Sequence, residues 1–193
     1  MPRQPRNEFP GAFFHVMSRG DHKQPVFFDS THYLKFIEFL SLTIEKYNWI
    51  CHSYCLMNNH YHILIETPEP NLGLGMHQLN AGYANWFNTF NDKSGHVFQG
   101  RYKSVLVQEN THLLELSRYI ILNPVEAGVV EKPEDWVWSS CRAMYGMSPS
   151  PHWLTTKWLL GCFGQSGQSE YKRFVALRQE GDRSEPDRGL TPH

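Results

Sequence analysis

The stretch WICHSYCLMNNHYHILIE, residues 49–66, decides the fold. Its two runs, WICHSYCL and YHILIE, are rich in β-branched and aromatic residues, and each has the length of a strand. Residues 57–59 separate the runs and include two asparagines, which tolerate the left-handed backbone conformations of tight turns. The stretch therefore predicts a β-hairpin, and the rest of the chain is placed around it.

Two histidines lie one residue apart at the start of the second run. Residues two apart on a strand share one face of the sheet, so His60 and His62 are predicted to point the same way. Tyr61 and Ile63 are predicted to face the opposite side. Imidazole suits zinc, manganese and similar ions, so the pair can bind a metal, although two ordinary exposed or core histidines would show the same pattern.

The segments on either side of the hairpin complete a β-α-β-β-α-β order followed by a further helix. Alternating bulky residues predict a first strand at 13–18, and a fourth is predicted at 102–107. Helical spacing of apolar residues predicts helices within 29–48, 72–91 and 111–128. The fold class is therefore α+β, a ferredoxin-like antiparallel sheet with an added C-terminal helix.

The third helix carries two polar residues with chemical potential. Tyr119 and Asn123 are four residues apart and so share one helical face. A phenol has an ordinary pKa of about 10 and is a poor nucleophile unless its target is polarised. From periodicity alone, a core aromatic is the favoured interpretation of Tyr119, because apolar residues surround it in the sequence. Because Pro124 lacks a backbone N–H, the helix is predicted to end or kink near Asn123.

The chain divides by pattern into three parts. Residues 1–146 are predicted to form the main domain and residues 147–178 a small helical extension. Residues 179–193 are polar, contain two prolines and are predicted to be disordered.

Composition limits the function classes. The 193 residues are 40% hydrophobic, contain no run long enough to cross a membrane and begin without the apolar core of a signal peptide, which favours a soluble, cytoplasmic protein. The four cysteines form no CxxC pair and are predicted to be reduced. The net charge of −1 is low for a nucleic-acid-binding protein, but residues 93–108 contain three basic residues and no acid.

Several motifs together resemble a known family. HYH after YCLMNN, then GHVFQGRYKS, LSRYIILNPVEAGVV and WVWSS are similar in order and spacing to the REP-associated tyrosine transposases. These enzymes belong to the single-tyrosine branch of the HUH endonucleases and transposases. The resemblance runs from about Phe14 to Gly146, roughly three quarters of the chain.

The resemblance implies a metal-dependent single-stranded DNA endonuclease. His60 and His62 match the family's metal-binding pair, Asn123 the polar residue that completes the site, and Tyr119 the catalytic tyrosine. The implied cofactor is Mg²⁺ or Mn²⁺, and the implied reaction cleaves and rejoins DNA near a hairpin through a covalent 5′-phosphotyrosine. Because imidazole ligands favour softer ions, we expect manganese to bind more tightly than magnesium.

The resemblance also implies the partner and its contacts. The partner is single-stranded DNA with a hairpin formed by a palindromic repeat, and the protein is expected to act as a monomer rather than a homodimer. The expected DNA contacts are Arg19, Arg101, Tyr102, Lys103 and Arg118.

Three other interpretations remain open from the sequence. Cys51, Cys55, His60 and His62 could form a structural zinc site. The chain could instead be a regulator that has the same fold and binds nucleic acid without cutting it. A phosphodiesterase that uses water as its nucleophile would retain the metal site but would not need Tyr119.

Overall fold

The predicted hairpin lies inside a single antiparallel sheet. In the computed structural model, which describes residues 8–108 and 110–181, the strands are β1 (Ala12–Arg19), β2 (Ile50–Leu56), β3 (His60–Thr67) and β4 (Lys103–Val107). Their order across the sheet is β2-β3-β1-β4, with every neighbouring pair antiparallel. This order and the helices between the strands confirm the predicted α+β, ferredoxin-like fold.

Three long helices accompany the sheet. They are α1 (Ser30–Lys46), α2 (Leu72–Phe90) and α3 (Asn110–Glu126). The Asp29 side chain accepts hydrogen bonds from the backbone N–H groups of Thr31 and His32, so it caps the N-terminus of α1. Three shorter helices follow, α4 (Cys141–Met144), α5 (Lys157–Gly161) and α6 (Gly167–Gly181).

The main core lies between the sheet and the pair α1 and α2. Tyr61, Ile63 and Ile65 of β3 point into it, where they join Phe36 of α1 and Tyr83 of α2. The predicted alternation of β3 is therefore confirmed on this side. Because the other face of the sheet is also covered, β3 is buried along most of its length.

The opposite face of the sheet is covered by α3. Leu113, Leu116 and Ile120 of this helix pack against Leu64 of β3 and Cys55 of β2 in a second apolar cluster. The face that carries His60 and His62 is therefore the face on which the Tyr119 helix lies.

The prediction that the third helix ends near Asn123 is wrong, and the alternative of a kink at that residue stays a prediction. Helix α3 continues to Glu126 with Pro124 inside its last turn. The backbone carbonyl oxygens of Asn123 and Pro124 still accept hydrogen bonds from Ala127 and Val129, so the chain keeps turning after the proline. The fixed φ of proline suits a helix, although the residue has no N–H to donate and its ring crowds the carbonyl four residues earlier.

The C-terminal segment packs on the outer side of α3. Ile121 and Leu122 of α3 join Met144, Leu159 and Tyr171 from α4, α5 and α6 in a third buried cluster. Helix α3 is thus covered on both sides by its own chain. The predicted division at residue 146 stays a prediction. Helix α6 extends to Gly181, three residues into the predicted tail, and residues 182–193 lie outside the described part of the chain.

The WVWSS segment lies along the outer edge of β2. The Leu56 N–H donates to the Trp138 carbonyl, and the Ser140 N–H donates to the Tyr54 carbonyl. The Trp136 indole N–H donates to the Leu56 carbonyl, and the Trp138 ring stacks on Tyr33 with centroids 4.5 Å apart. Both tryptophans therefore pack against the sheet and α1.

Among residues 8–108 and 110–181, none of the helices combines the length and the apolar character that a membrane span requires.

Close packing of α2 on Trp49 yields a testable prediction. A Cβ atom added at Gly75 would overlap the Trp49 ring, whose indole N–H is held by a 2.6 Å hydrogen bond to Asn71. We expect Gly75→Ala to lower the free energy of unfolding by about 1–3 kcal/mol, measured by urea denaturation.

Gly73→Ala, in the same helix, is the matched control. A Cβ atom there meets the end of the Glu8 side chain at 3.3 Å and the Tyr102 hydroxyl at 4.0 Å, an ordinary contact distance. Alanine also favours a helix by up to about 1 kcal/mol over glycine. Equal destabilisation by both substitutions would contradict the assigned contact.

Candidate active site

The candidate site lies on the sheet face beneath α3, near the end of β1 and the start of β3. The antiparallel register pairs Arg19 with His60 and Met17 with His62, so the side chains of all four residues share this face. Helix α3 brings Tyr119 and Asn123 above them. The site is therefore assembled from three elements that are distant in the sequence.

His60 contacts two amide oxygens. Its Nδ1 lies 2.7 Å from Oδ1 of Asn59, and its Nε2 lies 3.2 Å from Oδ1 of Asn123. The Asn59 amide is oriented by its own Nδ2, which donates a 3.0 Å hydrogen bond to the Lys23 carbonyl. The oxygen of Asn59 therefore faces His60, and the Nδ1–H of His60 is the donor to it.

His62 is held by a histidine that sequence reasoning did not select. Its Nδ1 lies 2.9 Å from Nε2 of His15, and the two rings stack with centroids 5.1 Å apart. His15 is fully buried on β1. Strand alternation places it on one face with Phe13 and Met17, but only the pairing of β1 with β3 brings it beside His62.

The tyrosine of α3 lies against these imidazoles. The Tyr119 ring centroid is 5.6 Å from that of His62 and 6.1 Å from that of His15, both edge to face. Tyr119 is half-buried, and Asn123, one turn later, is almost fully buried beside His60. The structure thus brings together His60, His62, Tyr119 and Asn123, in one chain and without a second copy.

The imidazoles of the site are held in the neutral form. Burial lowers the pKa of His60, the Asn123 contact raises it, and the nearby Arg19 guanidinium lowers it. The pKa of His62 is well below its ordinary value because the ring is buried and lies near His15, His60 and Arg19. Burial lowers the pKa of His15 to about 4. Neutral imidazoles have lone pairs available for a cation.

The donor set fits a divalent cation. A neutral imidazole has one N–H, and His60 uses it for Asn59, so its Nε2 lone pair faces the Asn123 oxygen. Two lone pairs that face each other repel, and a cation placed between them would be attracted to both. When two ligand atoms each lie 2.0–2.1 Å from an ion and form a right angle at it, they are about 3 Å from each other. Nε2 of His60 and Oδ1 of Asn123 are 3.2 Å apart, which is close to that distance. Nδ1 of His62 lies next to His15, so Nε2 is the nitrogen of His62 that would bind the same ion.

The structural zinc interpretation does not fit this arrangement. Cys51 points into the core beneath α1 and α2, whereas His60 and His62 face α3. The two histidines therefore lie on the other side of the sheet from Cys51. Within the described residues, no group of three or more histidine, cysteine, aspartate or glutamate side chains can hold a metal ion.

The predicted basic residues have different environments. Arg19 is half-buried and close enough to lower the pKa of both His60 and His62. Lys103 is exposed on β4, on the histidine face opposite Met17, and Arg101 is exposed just before that strand. All three lie on or near the part of the sheet that α3 leaves open.

Two other predicted DNA contacts are not brought to the site. Tyr102 is buried in the main core on the α1 and α2 side, so its ring is not exposed for stacking on bases. The Arg118 guanidinium lies 4.3 Å from the ring centroid of Phe174 in α6 and forms an ion pair with Glu115. Arg118 therefore connects α3 to α6.

The arrangement has the parts needed for phosphoryl transfer. It combines neutral nitrogen ligands, an amide oxygen, a phenol next to them and a guanidinium on the same face.

Comparisons with known proteins found a family model and solved structures that match the chain. The family model described as "Transposase IS200 like" matches residues 10–123, which include every residue of the site. The structure of a REP-associated tyrosine transposase bound to a REP hairpin is similar in fold, with a TM-score of 0.64 and 15% identity over 80% of this chain and 92% of that one. A candidate transposase from Deinococcus radiodurans R1 has a TM-score of 0.44 and 15% identity, covering 62% and 95%. No curated protein matches the chain significantly.

The charge on Arg19 yields a prediction about pH. Because this guanidinium lowers the pKa of His60 and His62, Arg19→Gln should raise both values toward the ordinary 6.5. Both rings would then become protonated at higher pH than in the unmodified protein. Titration of the histidine ring signals by NMR in the metal-free protein measures this.

Arg101→Gln is the control for that titration. It removes the same charge from an exposed position in the segment before β4, and it should leave both histidine pKa values unchanged. A lower pKa of His60 in Arg19→Gln would contradict the assigned interaction.

Proposed function

The chain belongs to the IS200-like transposase family, and on that premise we propose that it cleaves and rejoins single-stranded DNA beside a hairpin with Tyr119 as its nucleophile. The observation that carries this proposal is the meeting of Tyr119 and Asn123 from α3 with His60 and His62 from β3. A phenol packed only for stability would not need two metal-competent imidazoles and an amide oxygen next to it.

The proposed step exchanges one phosphate ester for another. The Tyr119 oxygen attacks the phosphorus of a DNA phosphodiester, and the bond from phosphorus to the 3′ oxygen breaks. The phenol loses its proton, the departing 3′ oxygen gains one, and the 5′-phosphate stays joined to Tyr119. Because the new ester retains the energy of the old one, a 3′-hydroxyl can reverse the step without ATP.

The proposed metal ligands are His60, His62 and Asn123. A divalent cation bound there would polarise the scissile phosphate and hold it in line with the nucleophile. The role of the chain is to fix the ligands before the ion arrives. Asn59 and the burial of the site orient the His60 ring, and the packing of α3 on the sheet fixes Asn123.

The proposed substrate is single-stranded DNA with a hairpin, of the class seen in the similar REP hairpin complex. Arg19 would face the phosphate next to the site, and Arg101 and Lys103 would contact neighbouring phosphates along β4. With few basic residues and a net charge of −1, binding would depend on these local contacts and the metal rather than on a general positive field.

The proposed active form is a monomer. The nucleophile and the metal ligands come from one chain, so no second copy is needed to complete the site. Helix α3 packs against the sheet and against α4–α6 of its own chain, so the site is complete without exchange of this helix between subunits.

Removal of the Tyr119 hydroxyl tests the nucleophile. We expect the protein, incubated with Mn²⁺ and hairpin oligonucleotides that flank its own gene, to form a DNA adduct that resists denaturant. Tyr119→Phe should abolish both this adduct and strand cleavage, because phenylalanine has no oxygen to attack phosphorus. Denaturing gels and intact-protein mass spectrometry measure the two products.

Tyr145→Phe is the matched control, since Tyr145 lies on the far side of α3 in the C-terminal cluster. It should retain adduct formation. Cleavage that persists in Tyr119→Phe would identify water as the nucleophile. DNA retention without cleavage by the unmodified protein, on several hairpins, would identify a regulator.

A metal titration tests the ligand set separately. We expect Mn²⁺, measured by the EPR signal of the free ion, to bind more tightly than Mg²⁺, measured by competition, because two ligands are imidazoles. Loss of a residue that only hydrogen-bonds to a metal ligand lowers metal affinity by roughly 10- to 100-fold. His60→Gln removes a proposed ligand itself, so it should weaken Mn²⁺ binding by at least that factor.

The controls for this titration are two other substitutions. His77→Gln changes an exposed histidine of α2, and Cys51→Ser changes a thiol buried on the other side of the sheet. Both should leave Mn²⁺ affinity unchanged. Loss of binding in Cys51→Ser would return the structural zinc site to consideration.

A further inference from the structure

His15 is a buried polar side chain with no assigned role in the site. It lies on β1 with 1% of its surface exposed, and its Nε2 is 2.9 Å from Nδ1 of His62. Its ring also meets the Tyr119 ring edge to face at 6.1 Å. His15 therefore contacts one proposed metal ligand and the proposed nucleophile.

The short contact between the two imidazoles depends on the position of one hydrogen. Two ring nitrogens 2.9 Å apart form a hydrogen bond only if one of them carries the hydrogen and the other offers a lone pair. If His15 Nε2 donates, the hydrogen of neutral His62 lies on its Nε2 and blocks that nitrogen. If His62 Nδ1 donates, its Nε2 has a free lone pair.

We propose that His15 is a positioning residue that accepts the hydrogen bond from Nδ1 of His62 and so presents Nε2 of His62 to the metal. This inference rests on the proposed metal site and adds to it the residue that selects the tautomer of one ligand. Metal-binding histidines commonly donate their other N–H to an outer partner, which fixes the ring and raises its basicity.

The other ligand of the pair has the same arrangement. The Nδ1–H of His60 donates to Asn59, whose amide is oriented by the Lys23 carbonyl. Both imidazoles thus have Nδ1 engaged by a neighbour and Nε2 left for the site. In one case the neighbour is an adjacent asparagine, and in the other it is a histidine from the next strand.

A cost of this arrangement is visible at the other nitrogen of His15. When Nε2 accepts, the hydrogen of neutral His15 lies on Nδ1, which is buried and finds no hydrogen-bond partner in the described part of the chain. An unsatisfied buried donor costs about 1–3 kcal/mol. Such groups in folded proteins call for a functional explanation, and orientation of His62 supplies one.

An isosteric pair of variants separates positioning from packing. Glutamine and methionine have similar size and shape, but only glutamine has an oxygen that can accept from Nδ1 of His62. We expect His15→Met to weaken Mn²⁺ binding by about 10–100-fold, measured by EPR, and His15→Gln to restore most of the affinity.

A direct readout of the tautomer accompanies the affinities. In the unmodified protein and in His15→Gln, loaded with diamagnetic Mg²⁺ and labelled with ¹⁵N-histidine, NMR should show the hydrogen of His62 on Nδ1. A residue that served only to fill space would not determine this position.

Substitutions at His52 provide the matched control. His52 is also a buried histidine of the sheet, but it is paired with Glu66 by a 3.0 Å contact and not with a proposed ligand. His52→Met and His52→Gln should leave Mn²⁺ affinity and the His62 tautomer unchanged, even if they lower thermal stability as much as the His15 variants do.

The outcomes distinguish this inference from the proposed function. Equal Mn²⁺ affinity in His15→Met and the unmodified protein, or a hydrogen on Nε2 of His62 in the loaded protein, would overturn the role of His15 and leave the metal site standing. Equal weakening by Met and Gln would identify a packing role instead. If the unmodified protein binds no Mn²⁺, the metal site fails and the role of His15 fails with it.

Discussion

The packing of α3 against the sheet is the interaction on which the site depends. Leu113, Leu116 and Ile120 fix the helix over β2 and β3, and this contact determines where its polar residues lie. Tyr119 is next to Ile120 in the sequence, and Asn123 follows one turn later, so both are placed by the same apolar contact. An apolar interface thus sets the geometry of a polar site, because a helix packed on one side cannot rotate without losing that burial.

The sequence predicted those parts of the fold that depend on local periodicity. The common face of His60 and His62 follows from the two-residue repeat of a strand, and that of Tyr119 and Asn123 from the helical repeat. The position of His15 depends on which residue of β1 lies opposite which residue of β3, and strand alternation does not determine that register. Its proximity to His62 was for this reason visible only in the structure.

Two predicted DNA contacts show a second limit. The sequence does not show whether a basic residue beside a motif faces solvent or another helix. Arg118 faces α6, which begins some fifty residues later in the chain. Tyr102 has the composition of a stacking residue but is buried on the α1 and α2 side. The continuation of α3 past Pro124 also depends on tertiary packing that the sequence does not show. Burial of α3 on both sides outweighs the cost of a proline in its last turn.

The packing of α3 on two sides bears on whether the protein or the DNA would move in the proposed reaction. If Tyr119 becomes joined to DNA as proposed, the packing of α3 between the sheet and α4–α6 would favour holding that DNA end in one place. The end joined to the protein would stay stationary, and the released strand would have to leave while the incoming strand arrives at the same point. In such a reaction the DNA strands, rather than the protein, would make the larger movements.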